Sequence, residues 1–297
     1  LSKVMATRGY GAEVILSGFV YDDAFHKAKE VQRESGQTFI HAFNDPAVIA
    51  GQGTIGLEIL DALREVTSIV VPVGGGGLLA GIAIAVKKLA PHVKIYGVQA
   101  EGAKAMHISK CKHALITTDE ARTIADGIAV KEPGTLTFPI IEKYVDDIVV
   151  IDDEAIASSI LMLLERAKLM VEGAGAITLA AILNGKIPDK GKVVGVVSGG
   201  NVDVNFISRI IERGLVKAGR RVRISTTLAD RPGALQNFLT VIAQTNANVL
   251  HVLQDRVERH VALGKAVVEV SLETRDVIHT ESILSSLRQK GYDVKVI

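Results

Sequence analysis

The sequence predicts two α/β units in one chain: a parallel sheet covered by helices over residues 1–219, and a smaller antiparallel sheet backed by two helices over residues 220–297. Three observations predict this. Between positions 12 and 219 short apolar runs alternate with longer amphipathic stretches, the rhythm of strands joined by crossover helices. After Arg220 the order becomes strand, helix, strand, strand, helix, strand, which is the ferredoxin-like arrangement. The 297 residues also exceed the usual size of one domain, and Gly219 ends an amphipathic stretch as a C-terminal glycine does, so the boundary is expected there.

In the first unit the expected strands are 13–16, 39–42, 68–73, 94–99, 147–151 and 192–197. Several are near-continuously apolar, as strands covered on both faces must be. Residues 21–34, 55–65, 79–89, 154–169 and 174–183 place apolar side chains three and four apart and are expected to be the covering helices, and 202–217, rich in Ile, Val and charged residues, is expected to be a last helix. In the second unit strands are expected at 222–228, 249–254, 266–272 and 292–297, with helices at 234–245 and 280–290.

Thirty-four Lys plus Arg against thirty-three Asp plus Glu leave no basic stripe to neutralise a run of phosphates, so nucleic acid is not an expected partner. The uncharged run at 69–86 is cut by Pro72 and by Gly74, Gly75, Gly76 and Gly77, so it reads as strand, loop and helix rather than a membrane span. A single cysteine, Cys111, fits a reducing compartment, and the cytoplasm is the expected location. The opening stretch LSKVMATRGYGAEVIL has no apolar signal core, and the chain is expected to continue from residues upstream of it.

Two loops carry chemistry. The first, VGGGGL at 73–78, lies between an apolar strand and a helix start. Residues without Cβ let the backbone wrap an anion while helix N-terminal N–H groups point at it, so a phosphate is the expected guest. A plain flexible turn is the alternative. Gly75, Gly77 and Ala80 also match a dinucleotide pattern loosely, but Glu101 stands too late for its acidic ribose contact. The second loop, SGGN at 198–201, again follows an apolar strand and is expected at the same carboxyl edge of the sheet. Its Ser198 hydroxyl is placed to hydrogen-bond a planar ring nitrogen, unless the loop is an ordinary strand-to-helix turn.

Five segments, NDPAVIAGQGT at 44–54, VGGGGL at 73–78, ADGIAV at 125–130, VEGAGA at 171–176 and SGGN at 198–201, stand in the order found in threonine dehydratases, which the chain resembles. The resemblance covers essentially the whole chain and implies the type II pyridoxal-phosphate fold shared with serine racemases. It implies that Gly74, Gly75, Gly76, Gly77 and Leu78 hold the phosphate of pyridoxal 5'-phosphate through backbone N–H groups. Ser198 then meets the pyridine nitrogen, with Glu172 and Gly127 near the ring. A neutral serine there does not strongly hold a proton on the ring, which suits rapid β-elimination. The family's cofactor-bearing lysine and its substrate-carboxylate loop belong to Ser-x-Lys-x-Arg-Gly and Ser-Ala-Gly-Asn-His motifs, and neither occurs in these 297 residues. The catalytic lysine is therefore left unassigned. Gln99 and Ala105 stand where metal-binding relatives carry acids, and His107, Cys111 and His113 lack ligand spacing, so no metal site is expected.

In the second unit LADRPGAL at 228–235 resembles the signature turn of ACT domains, although Asp230 as a cap and Pro232 at a helix start make structural sense without a ligand. The resemblance implies an amino-acid effector held by Asp230, Pro232, Gly233, Ala234 and Leu235 together with Asn248, at the interface of a homodimer or homotetramer. The expected whole is an allosteric lyase of amino-acid metabolism, as in isoleucine biosynthesis, that converts L-threonine, and serine, to a 2-oxo acid and ammonia. Three other readings stay open: a serine racemase-like enzyme, a non-catalytic amino-acid-binding scaffold and, more distantly, a nicotinamide oxidoreductase.

Overall fold

The computed structural model describes residues 2–18, 21–256 and 261–297. It divides into two compact units, residues 1–206 and 207–297.

The first unit holds helices α1 (Ser2–Gly9), α2 (Tyr21–Ser35), α3 (Pro46–Ala62), α4 (Gly77–Leu89), α5 (Ala105–Lys112), α6 (Thr137–Tyr144), α7 (Asp153–Met162) and α8 (Gly173–Leu183). Its strands are β1 (Ser68–Pro72), β2 (Lys94–Ala100), β3 (Asp147–Ile151) and β4 (Val193–Gly195), all parallel, in the order β3-β2-β1-β4. Every residue of β1 is buried, and Ile69, Val71, Leu79, Ile82, Ile95 and Ile148 centre the core. Asp45 starts α3 by accepting from the N–H groups of Ala47 and Val48 at 2.8 and 3.2 Å, with Pro46 supplying a preset φ at the first helical position. Helices α3 and α4 cross where a methyl on Gly81 would run into the backbone of Ile49 and Gly53.

Two expected strands are absent. Residues 13–16 and 39–42 are irregular, and neither lies in a strand ladder among the described residues. A short apolar run forms a strand only where a neighbour supplies the hydrogen bonds. Three helices went unexpected, α1, α5 and α6, each only eight residues long and too short for a clear period. Helix α3 begins nine residues before the expected 55, at the Asp45 cap. The expected helix 154–169 keeps its α form only to Met162 and then widens into one π-turn.

The second unit takes most of α9 (Val204–Lys217) and then β5 (Arg221–Ala229), α10 (Ala234–Gln244), β6 (Asn248–Asp255), β7 (Lys265–Glu273), α11 (Val277–Gln289) and β8 (Val294–Val296). The sheet is antiparallel in the order β6-β7-β5-β8, as the ferredoxin-like reading requires. Alternate residues Val222, Ile224 and Leu228 of β5 and Val268, Val270 and Leu272 of β7 share a core with Phe238, Ile242, Ile283 and Leu287 of the two helices.

Candidate functional site

The first sheet changes direction at β1. From β1 the chain builds β2 and then β3 on one side, and returns to place β4 on the other. Ligands of open parallel sheets bind outside the carboxyl ends of the two strands that flank such a switch point. Here those strands are β1 and β4, and they lead into VGGGGL and SGGN. Pairing of β1 with β4 stops at Val70 and Gly195, with one further bond from Val196 N–H to Val70 O at 2.9 Å, whereas pairing with β2 runs on to Pro72 and Val98. The two loops therefore stand at the point where pairing ends, which is where open parallel sheets have their crevice.

Gly76 caps α4 in the left-handed region at φ 99°, which a glycine adopts without strain. Ala80 N–H closes the first helical bond, to Gly76 O at 2.9 Å, so the N–H groups of Gly77, Leu78 and Leu79 have no acceptor within the helix. That helix start carries partial positive charge. Side chains have no room on this loop: a methyl on Gly75 would collide with the Phe43 ring, and one on Gly77 would lie 2.9 Å from the Phe43 backbone. The loop is also held from outside. Thr137 Oγ1, fully buried, donates to Gly75 O at 2.6 Å, and Gly134 N–H reaches the same carbonyl at 3.1 Å. Asn44 binds the adjoining segment, accepting from Leu136 N–H at 2.8 Å and donating to Thr135 Oγ1 at 3.0 Å. Thr137 and Gly134 gave no signal in the sequence, whereas Asn44 opens one of the five segments.

The remaining expected residues converge on the same edge. A methyl on Gly74 would lie 3.1 Å from Ile128 Cα, so the segment 125–130 borders the glycine loop. A methyl on Gly127 would lie 3.2 Å from Glu172 Oε1, and the Glu172 carboxylate packs closely on Gly199. Glu172 N–H also donates to Gly199 O at 3.1 Å, which ties the start of α8 to the SGGN loop. Ser198 and Gly127 are exposed, and Gly74 and Leu78 half-buried, as the rim of an open crevice should be. A helix start with free N–H groups for an anion and the Ser198 hydroxyl in the loop that follows β4 are chemically suited to pyridoxal phosphate.

Of the side chains weighed for a metal, Gln99, His107 and His113 make hydrogen bonds within the first unit. Gln99 is fully buried and hydrogen-bonded at both ends of its amide, to Val73 O at 3.1 Å and from His107 N–H at 2.8 Å. His107 Nδ1 meets Ile148 O at 2.7 Å, and His113 Nδ1 meets Glu142 Oε1 at 3.0 Å.

In the second unit Gly233 caps α10 in the left-handed region at φ 83°, which explains the glycine of the turn. Asp230 N–H donates to Gly264 O at 2.9 Å. The Asp230 carboxylate accepts from Arg256 Nε at 2.9 and 3.1 Å, so the turn lies beside the end of β6. Asn248 does not join it. It opens β6 level with Glu273 and Arg221, at the opposite end of the sheet, and its Nδ2 donates to Glu273 Oε2 at 3.3 Å.

Comparison with known proteins identifies the family. Residues 1–199 match the family described as pyridoxal-phosphate dependent enzyme, and residues 222–291 match the ACT domain. An L-threonine ammonia-lyase of Thermotoga maritima is 50% identical over 298 residues, covering 100% of this chain and 74% of the relative. One from Geobacter sulfurreducens is 49% identical, covering 99% and 74%. Among solved structures, the crystal structure of a threonine deaminase from T.th. superposes with a TM-score of 0.65 at 38% identity, covering 68% of both chains. Maize serine racemase superposes with a TM-score of 0.66 at 37% identity, covering 72% of this chain and 68% of its own. The chain thus belongs to the pyridoxal-phosphate dependent enzymes of fold type II and carries a C-terminal ACT domain.

Proposed function

We propose that this chain is an L-threonine ammonia-lyase, which turns L-threonine into 2-oxobutanoate and ammonia and also accepts L-serine. One observation carries the reading: identity of about half the residues, across the whole chain, with two L-threonine ammonia-lyases. Serine lacks only the methyl of threonine, and one methyl in an apolar pocket discriminates by about 1–3 kcal/mol, so the two substrates overlap.

The N–H groups at residues 74–78 hold the cofactor phosphate, and the Ser198 hydroxyl donates to the ring nitrogen. Glu172 braces Gly199 and Gly127 so that both loops keep their place at the ring. Pyridoxal phosphate, when bound, supplies the electron sink that lets the Cα proton leave and the β-hydroxyl follow. Ser198 is a neutral donor, so it stabilises the ring without fixing a proton on it, which favours a short elimination over prolonged carbanion chemistry.

We take the boundary between the catalytic and ACT regions at Gly219, two residues before β5 starts at Arg221. The ACT region binds a free amino acid and is the allosteric element of a homodimer or homotetramer. Support comes from the sheet itself. Strand β6 is an edge, with Leu250 and Leu253 exposed. Two-fold antiparallel pairing of β6 edges sets the Asp230 turn of one protomer beside Asn248 of the partner subunit. No helix among the described residues is long and apolar enough to cross a membrane, and the single cysteine suits a cytoplasmic enzyme.

The test is to incubate the purified enzyme with L-threonine and follow 2-oxobutanoate and ammonia, with L-serine in parallel and chiral chromatography of the residual serine. Equal release of both products from threonine supports the lyase. Appearance of D-serine without ammonia would favour a racemase instead.

A further inference from the structure

We propose that Gln99 is a positioning residue for the cofactor phosphate: its amide fixes the peptide joining Val73 to Gly74 and thereby turns the Gly74 N–H into the crevice. The proposal rests on reading residues 74–78 as the phosphate loop.

Gln99 stands on β2 one step beyond the pair Pro72 and Val98, which puts it opposite Val73. It is fully buried in a strand whose other interior residues are apolar. An amide buried without partners costs roughly 1–3 kcal/mol, so it persists only where both ends are bonded. Both are: Nε2 donates to Val73 O at 3.1 Å, and Oε1 accepts from His107 N–H at 2.8 Å at the start of α5. Val73 N–H donates to Val98 O at 2.9 Å, so both backbone polar groups of Val73 face β2. The peptide is trans, and across a trans peptide the C=O and the following N–H point opposite ways. The Gly74 N–H therefore faces the β4 side, where strand pairing has already ended and Ser198 emerges. Without the Gln99 bond the Val73 carbonyl would be unpaired at the strand end, and the peptide would lose the constraint on its plane.

A purely structural role, joining β2 to α5, predicts different behaviour, and Gln99→Glu separates the two. A protonated glutamic acid can still donate to Val73 O and accept from His107 N–H, whereas the carboxylate repels the Val73 carbonyl. Burial raises the carboxyl pKa, which brings that switch into an accessible range. The probe is pyridoxine 5'-phosphate, which has the phosphate and ring but no aldehyde, titrated by fluorescence into the cofactor-stripped enzyme. Wild type and Gln99→Met are measured beside Gln99→Glu. The expected result is Gln99→Glu affinity close to wild type near about pH 5.5, falling about tenfold relative to wild type by about pH 8.5, with Gln99→Met weak at every pH. A Gln99→Glu to wild-type ratio that stays flat with pH, while the melting temperature alone falls, would overturn the positioning role. Wild-type protein that does not bind the probe at all would instead overturn the phosphate-loop reading beneath it.

Discussion

Asp230 and Asn248 stand at opposite ends of one sheet, separated by the length of β5, which at about 3.3 Å per residue is roughly 30 Å. Arg256 holds the Asp230 turn against the far end of β6, while Asn248 opens that strand. If both serve one effector site, that site is made of two chains. Co-expressed Asp230→Ala and Asn248→Ala subunits should then recover amino-acid binding that neither variant shows alone, because each mixed dimer keeps one site with both residues intact. The measurement is calorimetric titration with whichever of the twenty L-amino acids stabilises the wild type. No recovery in the mixed dimer would mean that the two residues do not share a site.

The crossing of α3 and α4 gives a paired test of packing. A methyl on Gly81 meets backbone atoms of the facing helix, whereas one on Gly51 in α3 meets nothing within 4 Å. Gly81→Ala should destabilise the catalytic unit by more than about 2 kcal/mol, since backbone must move. Gly51→Ala should be neutral or gain up to about 1 kcal/mol from helix propensity. Denaturant unfolding of both variants checks the contrast, and equal effects would contradict the close crossing.

His41 links pH to the glycine loop. Its Nδ1 accepts from the N–H groups of Phe43 and Asn44 at 3.2 and 3.1 Å, which requires the neutral ring and sets the turn that lays Phe43 on Gly75 and Gly77. Burial, and then the nearby Lys29 charge, hold the His41 pKa below its ordinary 6.5, against a smaller opposing pull from Asp45. The folded state therefore binds this proton less readily than the unfolded chain. The contribution is fully present above 6.5 and is lost as pH falls through the folded value. An NMR titration should place the His41 midpoint below 6.5, and Lys29→Met should raise it.

Asp146 pins the edge of the first sheet, accepting from Lys87 and Lys94, each at 2.8 Å, and from Ile95 N–H at 2.8 Å. Burial alone would raise its pKa, but these donors together outweigh it and hold the carboxyl below its ordinary value of 3.8. Its stabilising effect is thus present above that value and fades as pH falls through the lower, folded one. Asp146→Asn should cost about 1–3 kcal/mol at neutral pH, and little at a pH where the wild-type carboxyl is itself protonated. Unfolding measured across that range checks it.

The sequence by itself determined what residue type and short-range period can encode. VGGGGL reads as an anion loop because it joins an apolar strand to a helix start, and Gly76 and Gly233 adopt the positive φ that such turns demand. The alternation of β5 and β7 is legible because every second residue faces the two helices. Residues 13–16 and 39–42 are short apolar runs that formed no strand, since a strand also needs a neighbour, and composition does not name one.

Only the tertiary structure decided which distant segments meet. Thr67 and Lys192 lie 125 positions apart, yet they join at the foot of β1 and β4, and that adjacency opens the crevice. Phe43, in the bend before α3, and Thr137, at the start of α6, clasp the glycine loop, and Gln99 reaches Val73 from the next strand. The same is true of the distance between Asp230 and Asn248, which a motif match cannot show. Strand order and register arise from packing and hydrogen bonding between segments far apart in the chain, so they are properties of the folded molecule rather than of any window of its sequence.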